Sequence, residues 1–213
     1  MPPKRCIIFM KKILGIFIFI IFLHATVEAD NLNNFHDLKQ QLKEAGCIQI
    51  EFISSLESSV FDTVDSTMGL AVLSSDGRYN IQLGDELYLY DLQKSYSFSE
   101  GSNQVIIEDV DDPKMVGREL SFIKDLDELY ITTNTLDKNI YKLNINNSID
   151  DNIDVPDSMI IFISSNNHFD SLSFYDLNED LNHIYFINQI ISDTCHNSKF
   201  IPEFPDSVER VRF

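Results

Sequence analysis

The chain has 213 residues, 16 of them basic and 34 acidic, for a formal net charge of −18 at neutral pH; hydrophobic residues make up 44% and there is no tryptophan. That length suits one domain of ordinary size, or one large all-β domain. So anionic a surface argues against nucleic acid and against anionic bilayers, whose phosphates would repel it.

The opening reads as an export signal. Lys4, Arg5, Lys11 and Lys12 give a basic start, Ile13 to Leu23 an apolar stretch, and Val27-Glu28-Ala29 a small-x-small cleavage site. The apolar stretch is too short and wrongly flanked for a spanning helix. Either Met1 or Met10 can begin the signal, Met10 the more tidily. Cleavage after Ala29 would remove residues 1–29 and leave residues 30–213 as a single domain. Because Cys6 precedes the apolar stretch and no cysteine follows it directly, no lipid anchor is expected. Four basic residues and one acidic residue leave with the segment, which takes the net charge from −18 to −21. Cys47 and Cys195 remain, and an oxidising compartment would let them pair, but their spacing leaves that open.

Leu32, Phe35, Leu38 and Leu42 recur at three and four residues from Asn31 to Ala45, which predicts an amphipathic helix with Gly46 as its C-cap. Cys47 to Ser54 alternates as a strand, with Ile48, Ile50 and Phe52 on one face. A polar turn at Ser54-Ser55 and a second strand over Val60 to Ser66 follow. The organising stretch is 69–98, GLAVLSSDGRYNIQLGDELYLYDLQKSYSF, a meander of antiparallel strands. Leu70 and Val72, then Tyr79, Ile81 and Leu83, alternate with their neighbours, while Asp76-Gly77 and Gly84-Asp85 tolerate the positive φ of tight turns. Leu87-Tyr88-Leu89-Tyr90 is apolar on both sides, so something other than water should cover its outer face.

Gln104 to Asp109 makes another strand. A second helix begins near Pro113, with Met115, Leu120, Ile123 and Leu126 as its stripe and Gly117 inside it. Six strands then follow, over Leu129 to Thr135, Asn139 to Ile145, Ser158 to Ser164, Ser171 to Asp176, His183 to Ile191 and Lys199 to Phe204. About eleven strands with two helices exclude a doubly wound parallel sheet and predict a mainly β, α+β fold, an antiparallel sheet curled around helices.

No catalytic or metal constellation stands out. His36, His168, His183 and His196 are scattered, without His-x-x-x-His or Cys-x-x-Cys spacing, and no Gly-x-Ser-x-Gly elbow supports acyl hydrolysis. The acidic clusters Glu108-Asp109-Val110-Asp111-Asp112 and Asp150-Asp151-Asn152-Ile153-Asp154 lack the glycine and glutamate of an EF-hand. Ile48, Ile50, Phe52, Leu70, Val72, Tyr79, Ile81, Leu87, Leu89, Phe98, Ile161 and Phe174 are the alternating residues expected to share one concave apolar face. Such residues can equally pack as core beneath the helices.

The order of these pieces resembles the periplasmic outer-membrane lipoprotein carrier family, LolA, over nearly the whole chain after the signal. Gly69-Leu70-Ala71-Val72, then Arg78-Tyr79, then Gly84-Asp85-Glu86-Leu87-Tyr88-Leu89-Tyr90-Asp91 are similar to that family's central strands, and Phe200 with Phe204-Pro205 is similar to its closing segment. The resemblance implies a curved antiparallel half-barrel with helices over its concave face. It also implies a monomeric, non-enzymatic periplasmic carrier without cofactor or metal. Such a carrier takes the acyl chains of lipoproteins from an inner-membrane release complex and passes them to an outer-membrane acceptor. Where the family has an Arg-Pro pair, this chain has Ser74-Ser75-Asp76, so the resemblance leaves either Arg78 as the substitute lid latch or no latch at all. The alternative is a half-barrel sensor or adaptor that binds lipid or peptide without transporting it.

Overall fold

The computed structural model describes residues 35–58, 60–61, 63–110, 119–137, 139–146, 155–176 and 178–213. The export signal, residues 31–34 of the first predicted helix, Pro113, Met115 and Gly117 of the second, and the acidic cluster at 150–154 lie outside them.

A single sheet of twelve strands runs through the described chain in the order β12-β6-β5-β4-β3-β2-β1-β11-β10-β9-β8-β7. β1 (Cys47–Ser58) and β2 (Thr63–Ser74) form a long hairpin near its middle. β3 (Tyr79–Leu83), β4 (Glu86–Tyr90), β5 (Lys94–Ser99) and β6 (Gln104–Asp109) continue on one side as a meander. On the other side β11 (Leu181–Ser192) pairs with β1, followed outward by β10 (Phe169–Tyr175), β9 (Ser158–Ile163), β8 (Ile140–Ile145) and β7 (Tyr130–Asp137). These pairs are all antiparallel, whereas β12 (Glu209–Arg212) runs parallel to β6. The outermost strands, β12 and β7, do not meet, so the sheet is an open half-barrel.

Two helical segments cover one face. Residues 35–44 form α1, and Glu119–Asp125 form a 3-10 helix that runs into one α turn, α2 (Leu126–Leu129). Leu120, Ile123 and Leu126 are spaced by three residues, the repeat of a 3-10 helix, so all three point one way and are buried. The described part of the second predicted helix is therefore mostly the tighter form. Phe35, Leu38 and Leu42 of α1 join them over Ile50, Phe52, Ile81, Tyr141 and Ile161 in one apolar cluster, with Phe35 stacked on Tyr141 at 4.7 Å between ring centres.

Several boundaries differ from the sequence reading. The polar turn at Ser54-Ser55 is absent: β1 runs on to Ser58, and Ser66 Oγ donates to Ser55 Oγ at 3.2 Å across the hairpin. The strands placed at Val60 to Ser66 and at Leu70-Val72 are one strand, β2. The strand placed at Lys199 to Phe204 is a 3-10 turn, Asn197–Phe200, and an irregular stretch. Pro202 and Pro205 have no N–H to give a ladder, and pairing resumes only at β12.

Candidate functional site

Cross-strand register decides which alternating residues share a face. Ile48, Ile50 and Phe52 lie opposite Leu73, Ala71 and Gly69, which lie opposite Tyr79, Ile81 and Leu83. Those residues point toward the helices. Ile161 pairs with Leu172, which pairs with Ile184, and Phe174 follows on the same side. Seven of the expected residues, Ile48, Ile50, Phe52, Tyr79, Ile81, Ile161 and Phe174, thus meet on the helix-covered face. Leu70, Val72, Leu87, Leu89 and Phe98 lie on the opposite face, because Leu70 is opposite Gln82, which is opposite Leu87, which is opposite Phe98. Two runs that are apolar on both sides, 87–90 and 159–163, resolve the same way: Tyr88 and Tyr90 face the helices and Leu87 and Leu89 do not, while Met159, Ile161 and Ile163 are the buried members of β9.

The reason for the parity is steric. The Phe52 ring lies where a side chain at position 69 would stand; a Cβ there would come within 2.2 Å of its Cζ. Gly69 and Ala71, the small residues of β2, therefore belong under the helices, and the larger Leu70 and Val72 turn outward. The sequence reading missed Tyr141, Leu143, Leu172 and Phe186, which complete the covered face. The alternation of Tyr141 and Leu143 with Lys142 was the signal available.

No family model matches the sequence, and no curated protein is similar to it in sequence. Similar solved structures include an uncharacterized conserved protein from Thermus thermophilus, 9% identical with a TM-score of 0.47, over 87% of this chain and 99% of that one. A DUF1329 family protein from Desulfovibrio piger is 11% identical with a TM-score of 0.46, over 80% and 97%. A LolA superfamily protein is also a neighbour. It comes from Nitrosomonas europaea, is 8% identical with a TM-score of 0.44, and the match covers 79% of this chain and 97% of that one.

The outer face of the half-barrel has its own cover. The segment after β11 crosses β1 to β6 as a strap, fastened by a disulfide between Cys47 and Cys195, which lie 4.8 Å apart between Cα atoms. Phe200 packs with Cys47 and Val72. Phe204 lies against Tyr96 and Phe98, with ring centres at 5.9 and 5.5 Å, and Val208 is buried with Val105 and Ile107. Asn80 Nδ2 donates to the Lys199 carbonyl at 2.7 Å and Asn103 Nδ2 to the Ser207 carbonyl at 2.9 Å. Burial and an O–H donated to Asp91 push the Tyr96 phenol up to about 12. This strap is what covers the outer side of Leu89 and its neighbours.

Among the described residues the side-chain partners of Arg78 are Asp76 and the strap. Its guanidinium pairs with Asp76 at 2.7 Å, donates to Asn197 Oδ1 at 3.1 Å and sits 4.5 Å above the Phe200 ring. Asp91, Gln93, Ile201 and Pro202 join Arg78, Asn197 and Phe200 around an open cleft of about 410 Å³. Burial raises the Asp76 carboxyl, but hydrogen bonds from Arg78 and Ser74 more than offset that and hold it below its ordinary value.

The helical cover is clasped to itself instead. Lys39 of α1 pairs with Asp127 at 2.5 Å and Lys43 with Glu128 at 3.5 Å, both on α2. The Lys39 ammonium also lies 5.2 Å from the Phe35 ring centre. Its hydrogen bond holds the Asp127 carboxyl below the ordinary value, against a smaller opposing effect of burial. A depressed carboxylate stabilises the fold fully above its unfolded pKa of about 4, and that contribution is lost as pH falls through the folded value. Asp127 is 46% exposed, so the pair contributes less than about 1 kcal/mol. Amide exchange in residues 35–44 should accelerate below about pH 4, ahead of exchange in β1. Asp127→Asn should flatten that dependence; an unaltered pH profile in the variant would show the clasp to be idle.

Among the described residues no group of three or more His, Cys, Asp or Glu could hold a metal ion, and no helix is long and apolar enough to cross a membrane.

Proposed function

We propose that the chain is exported, cleaved after Ala29, and works as a monomeric periplasmic carrier. It holds the acyl chains of lipoproteins against the helix-covered face and moves them from an inner-membrane release complex to an outer-membrane acceptor, with no chemical step. The observation that carries this reading is an apolar sheet face roofed by two short helical segments that two ion pairs tie to each other. The word LolA in the name of one solved neighbour agrees with it.

Magnitudes suit a roof that cargo can replace. Leu38, Leu42, Leu120, Ile123 and Leu126 are buried beneath it, at roughly 1.5–3 kcal/mol each, so their contacts total on the order of 10 kcal/mol as an upper estimate. Shielding one long acyl chain is worth about the same, at roughly 0.8 kcal/mol per methylene. Exchange of roof for cargo is then nearly balanced, and release to an acceptor needs only a modest further bias.

The mature protein, residues 30–213, should release lipoproteins from spheroplasts of a host with an inner and an outer membrane, in complexes that stay soluble. Folded protein that leaves every lipoprotein in the membrane would overturn the reading. The engagement of Arg78 by the strap favours a second reading, an adaptor that binds lipid or peptide without transporting it. Crosslinking in cells separates the two: a carrier traps many lipoproteins, an adaptor one partner.

A further inference from the structure

We propose that the outer face of β1, β2 and β11 is a docking surface for a protein partner that presents apolar side chains among lysines and arginines. Register aligns Met68, Ile53 and Tyr185 in a row across the three strands. Met68 is 66% exposed and Tyr185 48%, and Val64, Leu70 and Ile187 around them are exposed too. The strap covers the face from Val72 toward β6 and leaves this part bare among the described residues. An uncovered apolar group on the middle strands of a sheet is a feature of interaction surfaces.

Charge selects the partner. These three strands, the longest in the sheet at 12 residues each, contain no lysine or arginine, while Glu51 and Glu57 stand on the same face as the apolar row. A second copy of the chain would bring those carboxylates against their own kind, and an anionic lipid surface would be repelled. A basic-rimmed apolar surface would be attracted. Beside the row, β2 pairs with β3 only from Gly69 to Leu73, so Thr63 to Thr67 offers an edge to which a partner's extended segment can add main-chain hydrogen bonds. The face lies on the far side of the sheet from the helix-covered one and does not depend on the carrier reading; a cargo and a partner could be held at once.

The test is calorimetric titration of the mature protein with two amphipathic helical peptides of equal length, one of leucine and lysine and the other of leucine and glutamate, and with phosphatidylcholine vesicles. The lysine peptide should bind and the glutamate peptide should not. Met68→Ser with Tyr185→Ser should weaken binding at least about tenfold, and Glu51→Gln with Glu57→Gln should reduce its salt dependence, all with unchanged melting temperature. Equal binding by the serine variant, equal affinity for the two peptides or no binding of either overturns the proposal. So does vesicle binding that the serine variant loses, which would make a membrane the occupant. Concentration-dependent dimerisation lost in the same variant would make it a second copy.

Discussion

Replacing Cys47 and Cys195 together by alanine is expected to destabilise the fold by roughly 2–5 kcal/mol, read as a lower urea midpoint with a steeper slope, because the unfolded chain without the bond is more extended. The bond closes a loop across a sequence separation of 148 residues, and long loops restrict the unfolded chain most. Each hydrogen bond of the strap, such as Asn80 to the Lys199 carbonyl, contributes only about 1 kcal/mol, so the disulfide outweighs any of them. Loss should be local before it is global: exchange at residues 196–213 should rise first, since Phe200, Phe204 and Val208 then hold the strap without a covalent anchor. Identical denaturation midpoints for oxidised and alanine forms would refute this.

Phe52→Ala should cost about 3–5 kcal/mol. The side chain is fully buried and its ring fills the space above Gly69. Filling that space from the other side also costs: Gly69→Ala sets a methyl within 2.2–2.7 Å of three ring carbons, an overpacking worth roughly 1–3 kcal/mol. The two effects are coupled because they concern one volume. In a Phe52→Leu background, which lacks the ring's far end, Gly69→Ala should cost about 1 kcal/mol less than in the parent. Strict additivity in that cycle would mean that the ring does not determine which face of β2 turns inward.

What could be read in the sequence was local. The turns at Asp76-Gly77 and Gly84-Asp85 lie where expected, and Gly77 takes a φ of +94°, because alternating strands flank residues that tolerate it. The first helix, the open antiparallel sheet and the helix-covered face follow from the same short-range patterns. Register was not local. Along one strand Leu70 and Val72 alternate as well as Ile48 and Ile50 do, and only the pairing register, with Phe52 packed on Gly69, shows that the two sets point opposite ways. The strap was hidden for a similar reason: Phe200 and Phe204 read as alternating strand residues, yet they anchor an irregular crossing whose partners, Val72 and Phe98, lie about a hundred residues earlier. The setting of Arg78 was hidden in the same way, because its partner Asn197 is equally remote.

The covalent tie between positions 47 and 195 also sets an order on biogenesis. A chain is made from its N-terminus, so Cys47 remains a thiol while the following 148 residues emerge, and β12 cannot close its parallel ladder until residues 209–212 have followed. A polypeptide halted between residues 47 and 195 therefore carries an unpaired sulfhydryl group, which marks it chemically as unfinished.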